Sequence, residues 1–266
     1  MKFTKPQYIN KFIANPNPVT LDSGENVVVY SIADGLTNAE LNEWAKHILA
    51  HYISSDEIID GANANKISEQ EYIARFVLPT AKKDLSGNFG EIIFADFIEF
   101  VLGYSVPRYK LYGNYPNNPT QGIDIVAYKK NILNSADDTV LFSEIKCRLS
   151  TKSFVSLQEA INDITKRDKE YALVLDSMRR RLNQIGNTDE SQEIRRFPDP
   201  EKPYKLVKGA GLITLSNACT TKDFVGVSIA EGNKIEVHVI HSNDIWNLTQ
   251  DLWMRASLWI LGNALI

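Results

Sequence analysis

The chain has 266 residues, 44% of them hydrophobic and 23% charged, with a net charge of −4. That balance excludes wholesale disorder and a protein that coats nucleic acid, and leaves room for one large domain or a core with an added subdomain. No run approaches the roughly 18 apolar residues that span a bilayer, and the start, MKFTKPQYINKF, holds no apolar signal core, so a cytoplasmic chain without a membrane segment is expected.

Taken in order, VTLDSGENVVVYSIA predicts two short strands. LTNAELNEWAKHILAHYI predicts an amphipathic helix with Leu41, Trp44, Ile48 and Tyr52 on one stripe, opened by Thr37 with Glu40 three residues on. His47 and His51 lie one turn apart on it; with no third ligand in the pattern they read as structural. A second helix is expected around SEQEYIARFVL. Residues 1–80, with ten acids against six bases, form an α/β elaboration that packs onto something else, a candidate partner-docking region.

LSGNFGEIIFADFIEFVLG is the most apolar helix, with Ser86 as its cap and Gly103 as its stop. Glu91 shares a stripe with Ala95, Ile98 and Leu102 and so faces inward. A carboxylate there costs several kcal/mol unless a metal or a base compensates it. After the Pro- and Asn-rich YGNYPNNPTQ, the strand GIDIVAY points Ile123, Ile125 and Ala127 one way and Asp124, Val126 and Tyr128 the other. An insert, KKNILNSADD, leads to TVLFSEIKCRLS, where the period of two puts Phe142, Glu144, Lys146 and Arg148 on one face. FVSLQEAINDITKRDKEYALVLDSMRRRL predicts one long helix, followed by a polar loop from about Gly186 to Lys208. AGLITLS, FVGVSIAE and KIEVHVIHS predict closing strands. SNDIWNLTQDLWMRASLWIL predicts a last helix, with Trp246, Trp253 and Trp259 as core.

Glu91, Asp124, Glu144 and Lys146 converge if the apolar helix packs on the face where Asp124 and Glu144 emerge. Clustered carboxylates repel, a divalent cation resolves the repulsion, and all-oxygen ligation favours Mg²⁺ or Mn²⁺. Such an ion stabilises charge on a phosphodiester in flight and acidifies a bound water. Lys146 beside it would orient or deprotonate that water, with its pKa lowered. Glu144-Ile145-Lys146 is the one acid-x-Lys tripeptide in the chain, and its plain alternative is a structural ion pair at a sheet edge. A thiol enzyme built on Cys147 with His238 or His241 is a poor alternative, because Cys147 points away from Lys146. Cys147 and Cys219 read as free thiols in a reducing compartment. Residues 151–208 hold twelve bases against ten acids, including Arg179, Arg180 and Arg181. That run is a candidate phosphate-binding face with salt-sensitive affinity, or merely a solvated helix face.

The arrangement resembles the PD-(D/E)xK (restriction-endonuclease-like) nuclease superfamily, whose αβββαβ core matches residues 86 to about 230. The resemblance implies an α/β fold with a mixed sheet flanked by helices. It implies metal ligation by Asp124, Glu144, the backbone carbonyl of Ile145 and the helical Glu91, with Lys146 as the catalytic lysine. Gly122-Ile123 stands where the literal proline would precede Asp124, and Asn162 stands where a tyrosine would follow Gln158. A closer resemblance spreads over LSGNFGEIIFADFIE, PRYKLYGNYPNNPTQGIDIVAY and LFSEIKCR. These stretches are similar to the nuclease subunits of the bacterial Hachiman antiphage system in the Gly90-Glu91 pair, Lys110, Asn118-Pro119 and Gly122, with Ser143 where glycine is usual. This implies a DNA-degrading effector held by a superfamily-2 helicase, with residues 81–266 as the nuclease core and little sequence preference. Lys110, Arg148 and Arg179–Arg181 are its candidate DNA contacts. A ribonuclease of the same fold and a non-catalytic nucleic-acid-binding or scaffold subunit are the alternatives, since the phosphate is common to DNA and RNA.

Overall fold

A six-stranded mixed sheet organises the chain, and its strands come from both ends of the sequence. The structure is a computed structural model and describes residues 3–112, 122–131, 135–167, 170–199 and 203–258. Strand β1 (Phe12–Ala14), a hairpin of β2 (Val19–Thr20) and β3 (Asn26–Val27), and β4 (Val29–Ile32) come first. Helices α1 (Asn38–Ala50), α2 (Ser55–Asn65), α3 (Glu69–Tyr72) and α4 (Lys82–Phe100) follow, then β5 (Ile125–Lys129) and β6 (Thr139–Arg148). Helices α5 (Val155–Lys166), α6 (Tyr171–Gln184) and α7 (Thr188–Ile194) precede β7 (Lys205–Leu215), β8 (Ile235–Ser242) and α8 (Ile245–Leu258).

The strand order is β1-β4-β8-β7-β6-β5. Strands β4, β8, β7 and β6 run parallel, with β5 and β1 antiparallel at the two edges. A single bridge between Ser105 and Tyr128 extends the sheet beyond β5. From α4 through that bridge, β5, β6, α5 and β7, the order is helix, bridge, two strands, helix, strand. The architecture is α/β and compatible with a restriction-endonuclease-like core.

Helices α1, α4 and α8 cover one face, where Trp44, Ile48, Phe89, Ile93 and Phe97 are fully buried. Thr37 closes the predicted capping box with Glu40 at the start of α1. On the other face α5 and the β2–β3 hairpin cover β7 and β8, while α6 and α7 cover β5 and β6 through Tyr171, Leu175, Met178 and Phe142. Helix α4 buries Phe89, Ile92, Ile93, Phe94, Phe97 and Ile98. At about 1.5–3 kcal/mol per large apolar side chain, these outweigh the several kcal/mol that one inward carboxylate costs.

Several expectations need correction. Helix α4 begins at Lys82 behind Ala81, so Ser86 lies inside it and caps nothing, whereas Gly103 follows its end with φ of +73°. The predicted long helix is two, α5 and α6, because one straight helix cannot cover both the β7–β8 and the β5–β6 halves of the twisted sheet. The predicted polar loop contains α7. FVGVSIAE is not a strand: β8 already has β7 and β4 as neighbours, and the backbone N–H groups of Gly226, Ser228 and Ile229 donate to the side chains of Asp22, Gln158 and Ser23. Ile123 packs with Val126 and Tyr128 rather than with Ile125 and Ala127, since regular pleating starts only at Ile125. Trp253 is core; Trp259 and Asn118-Pro119 lie outside the described residues.

Candidate active site

Strand β6 lays a row of charges against α5. Arg167 Nε is 2.8 Å from Glu144 Oε1, Lys146 Nζ is 2.7 Å from Asp163 Oδ2, and Arg148 Nη2 is 3.4 Å from Glu159 Oε2. Steps of two along a strand (about 6.6 Å) match steps of four along a helix (about 6 Å), so the two rows run in register. Glu144 and Lys146 are thus not each other's ion-pair partners; each is paired across to the helix.

The apolar helix does not pack on that face, contrary to expectation. Helix α4 lies on the Ile145 and Cys147 side, and Gly90 lets it do so: a Cβ at Gly90 would stand 2.9 Å from the Cys147 Cβ. This close approach carries Glu91 to the sheet edge. Asp124 bridges the two faces there. Strand β5 starts opposite Ser143, and beyond its end Asp124 Oδ2 accepts the Ile145 N–H at 2.8 Å. In a strand the N–H and C=O of one residue leave the same edge, so the Ile145 carbonyl shares that edge with Asp124. Ser143, at the usual glycine position, is accommodated by its register partner Gly209, where a Cβ would come within 2.7 Å of the Ser143 Oγ.

Lys110 was expected to contact DNA, yet its side chain is largely buried, with Nζ 3.1 Å from Glu91 Oε2 and 3.3 Å from Asp124 Oδ1. Burial and the neighbouring Asp124 push the Glu144 carboxyl up to about 8, against Arg167. Burial likewise pushes Glu91 up to about 7 against Lys110. Burial lowers the pKa of Lys146, but Asp163, then Asp124 and Glu144, override it and hold the ammonium above its ordinary value.

The set fits a divalent cation. An ammonium already stands between two of the carboxylates, and Glu144, 4% exposed, has an Oε1 that makes no hydrogen bond despite the nearby Arg167. Every available donor is oxygen, the set that Mg²⁺ or Mn²⁺ takes. Among the described residues the three carboxylates do not offer three oxygens within 4.8 Å of one another, so the arrangement is open.

A cavity of about 830 Å³ opens against Asp124 and Glu144, walled by Tyr109, Arg167, Leu173 and Ser177. Leu173 and Ser177 are four residues apart on α6, and Arg181 is next in that row. Its guanidinium donates to the Tyr112 carbonyl at 2.8 Å. Arg179 and Arg180 both pair with Asp176, and only Arg180 projects far into solvent, at 71% exposed. Asp124 and Glu144 thus line a cleft whose α6 wall continues, one turn on, toward Arg181.

The HamA family profile matches residues 6–246. The chain belongs to the HamA family. Membership agrees with the Hachiman resemblance and carries an antiphage defence effector role. No curated protein matches the chain. No helix among the described residues is long and apolar enough to cross a membrane.

The HamA chain holds a second polar centre that sequence reasoning missed. Asp96, fully buried on α4, faces His47 and His51 of α1, and this group could hold a metal ion. The two histidines had been read as lacking a third ligand, which comes from 45 residues or more along the chain and carries no local signal. Arg167, Asp163 and Glu159 were also missed, although their four-residue spacing opposite Glu144, Lys146 and Arg148 is a readable signal. The thiol alternative is removed: Cys147 is free, but burial pushes its thiol up to about 12.

Proposed function

We propose that the chain is a metal-dependent DNA nuclease, the effector of an antiphage complex, restrained by a superfamily-2 helicase subunit. The observation that carries this reading is Asp124 at the β5 end. It is one proton away from Glu144 and one ammonium away from Glu91, and with Glu144 it lines the cleft, two residues along β6 from Lys146.

Asp124, Glu144, Glu91 and the Ile145 carbonyl would hold Mg²⁺ or Mn²⁺, which when bound stabilises charge on a phosphodiester and acidifies water. With such an ion bound, Glu144 would be held as the carboxylate, and Lys110, which lies between Glu91 and Asp124, would serve as a counter-charge beside the site. Lys146, kept cationic by Asp163, presents its ammonium to the phosphate oxygens, so its role is charge stabilisation rather than proton removal. The cleft wall that ends in Arg179–Arg181 addresses backbone phosphate rather than base edges, and so confers little sequence preference.

A nonspecific nuclease endangers its host, and a site resting on Lys110 and on a protonated Glu144 is consistent with restraint. The reading assigns helicase contact to residues 1–80, where Ile13, Val28, Ile59 and Phe76 are exposed. The test incubates supercoiled plasmid and structured RNA with the chain in Mg²⁺ or Mn²⁺, with and without a copurifying helicase. Metal-dependent nicking of the plasmid, suppressed by the helicase, is expected. Cleavage of RNA alone would favour the ribonuclease, and no cleavage of either would leave a binding subunit.

A further inference from the structure

We propose that His47, His51 and Asp96 bind one zinc ion, with water as the fourth ligand, in a buried site that ties α1 to α4, separate from the oxygen-lined centre and independent of the nuclease reading.

The ligand atoms are already gathered. His47 Nε2 lies 3.0 and 2.9 Å from the two Asp96 oxygens, His51 Nε2 lies 3.3 Å from His47 Nε2, and 3.8 Å separates His51 Nε2 from Asp96 Oδ1. Tetrahedral zinc with bonds of about 2.0–2.2 Å spaces its ligand atoms by roughly 3.3–3.6 Å, so an ion fits among these atoms with small side-chain adjustments. The two histidines stand four residues apart on one helix face, the spacing by which a helix offers two imidazoles to one metal. Two nitrogens and a carboxylate oxygen form a set that selects zinc over magnesium.

The environment is buried. His47, His51 and Asp96 are 8%, 5% and 0% exposed. The Phe3 ring covers both imidazoles, with centroids 4.9 Å from His47 and 4.7 Å from His51. The carboxylate is oriented from behind: the Tyr8 hydroxyl donates to Asp96 Oδ2, and Arg108 Nη2 lies 2.8 Å from Asp96 Oδ1.

Arg108 is the argument against an ion, since its charge repels one. It is offset by Glu99, which pairs with the same guanidinium. Asp96, Glu99 and Arg108 together carry a formal charge of minus one, so a divalent ion brings the group to plus one without displacing Arg108. A cavity of about 40 Å³ lined by His51, Arg108, Glu91, Lys110 and Asp124 separates the two centres. It is roomy enough for an ordered water and gives the ion an approach.

The full chain, stripped with a chelator, is titrated with Co²⁺ and then Zn²⁺. One cobalt with tetrahedral visible absorption is expected, displaced by zinc, with a rise in Tm on zinc addition. The signal should survive Asp124→Asn and Glu144→Gln and vanish in His51→Gln. Should His51→Gln fail to fold, X-ray absorption of the zinc-loaded wild type reads the ligands directly, and imidazole scattering is expected. A cobalt-silent chain whose Tm ignores zinc would mean that these atoms close a metal-free hydrogen-bond network, and the proposal fails. A signal lost in Asp124→Asn but kept in His51→Gln, or a zinc spectrum without imidazole, would overturn it equally.

Discussion

Helix α4 serves two carboxylate centres, and they differ in nearly every physical respect. At Asp96 the acid is sealed from water and surrounded by Arg108, His47 and Tyr8. Burial would raise the carboxyl, yet Arg108 and then His47 hold it well below the usual carboxylate range. At Asp124 the acids face a cleft with Lys110 as the cation between two of them, and Glu91 and Glu144 are pushed up to about 7 and 8. Arg108 and Lys110 are two residues apart on one segment, so a single stretch of chain supplies both compensating charges. The difference teaches that the first centre is compensated for stability, whereas the second is left short of positive charge. The two centres thus divide by burial and by compensating charge, one sealed among its partners and the other facing a cleft.

Asp124→Asn should separate the two most sharply. It removes the acid common to the Glu91 and Glu144 contacts, so metal-dependent plasmid cleavage should fall on the order of 10³-fold, the scale on which a positioned charge acts at a reacting centre. Its Tm should hold or rise slightly, because like-charge repulsion is relieved; calorimetry beside the cleavage assay checks both. Asp96→Asn should do the reverse. It leaves the buried Arg108 to Glu99 alone and weakens the bonds to His47 and Tyr8, a loss of about 1–3 kcal/mol that lowers Tm by several degrees.

The pH dependence sharpens the contrast further. With its folded pKa of about 8 above the ordinary 4.5, Glu144 binds more proton in the fold than in the unfolded chain between those values. Its contribution is therefore complete below about pH 4.5 and is lost as pH rises through 8, by up to about 1.4 kcal/mol per pH unit. Asp96, shifted the other way, contributes above its unfolded pKa and loses that contribution only in acid. Metal-free melting curves across pH 5–8 should slope downward in the wild type and flatten in Glu144→Gln; an unchanged slope would remove the raised carboxyl from the account. The smallest effect is expected at the arginine run. Arg181 is tied to Tyr112 and Arg179 to Asp176, so changing all three to glutamine should lower the salt slope of DNA binding by about one rather than three.

Much of this was readable in the residues. The α1 capping box, the inward Glu91 and the strand carrying Glu144 and Lys146 follow from local pattern, whereas the αβββαβ order was implied by the family resemblance. Which helix covers which face does not: a period of two separates Glu144 from Ile145 but leaves open which side α4 takes, and that is decided by the Gly90–Cys147 approach. The α5–α6 break has no glycine or proline to mark it. FVGVSIAE has the alternation of a strand, but β8, to which it leads, is already flanked by β7 and β4. Lys110 and Asp96 were opaque for the same reason, since their roles exist only through partners brought from afar.

The account rests on the charged face of β6 being catalytic. The direct test is nicking of supercoiled plasmid in Mg²⁺ or Mn²⁺ by the wild type and by Lys146→Ala, with melting curves to show that both are folded. The account predicts nicking by the wild type and none above background by the variant at equal stability. Equal nicking by a folded Lys146→Ala would show that the Lys146–Asp163 pair only braces β6 against α5, and would contradict it.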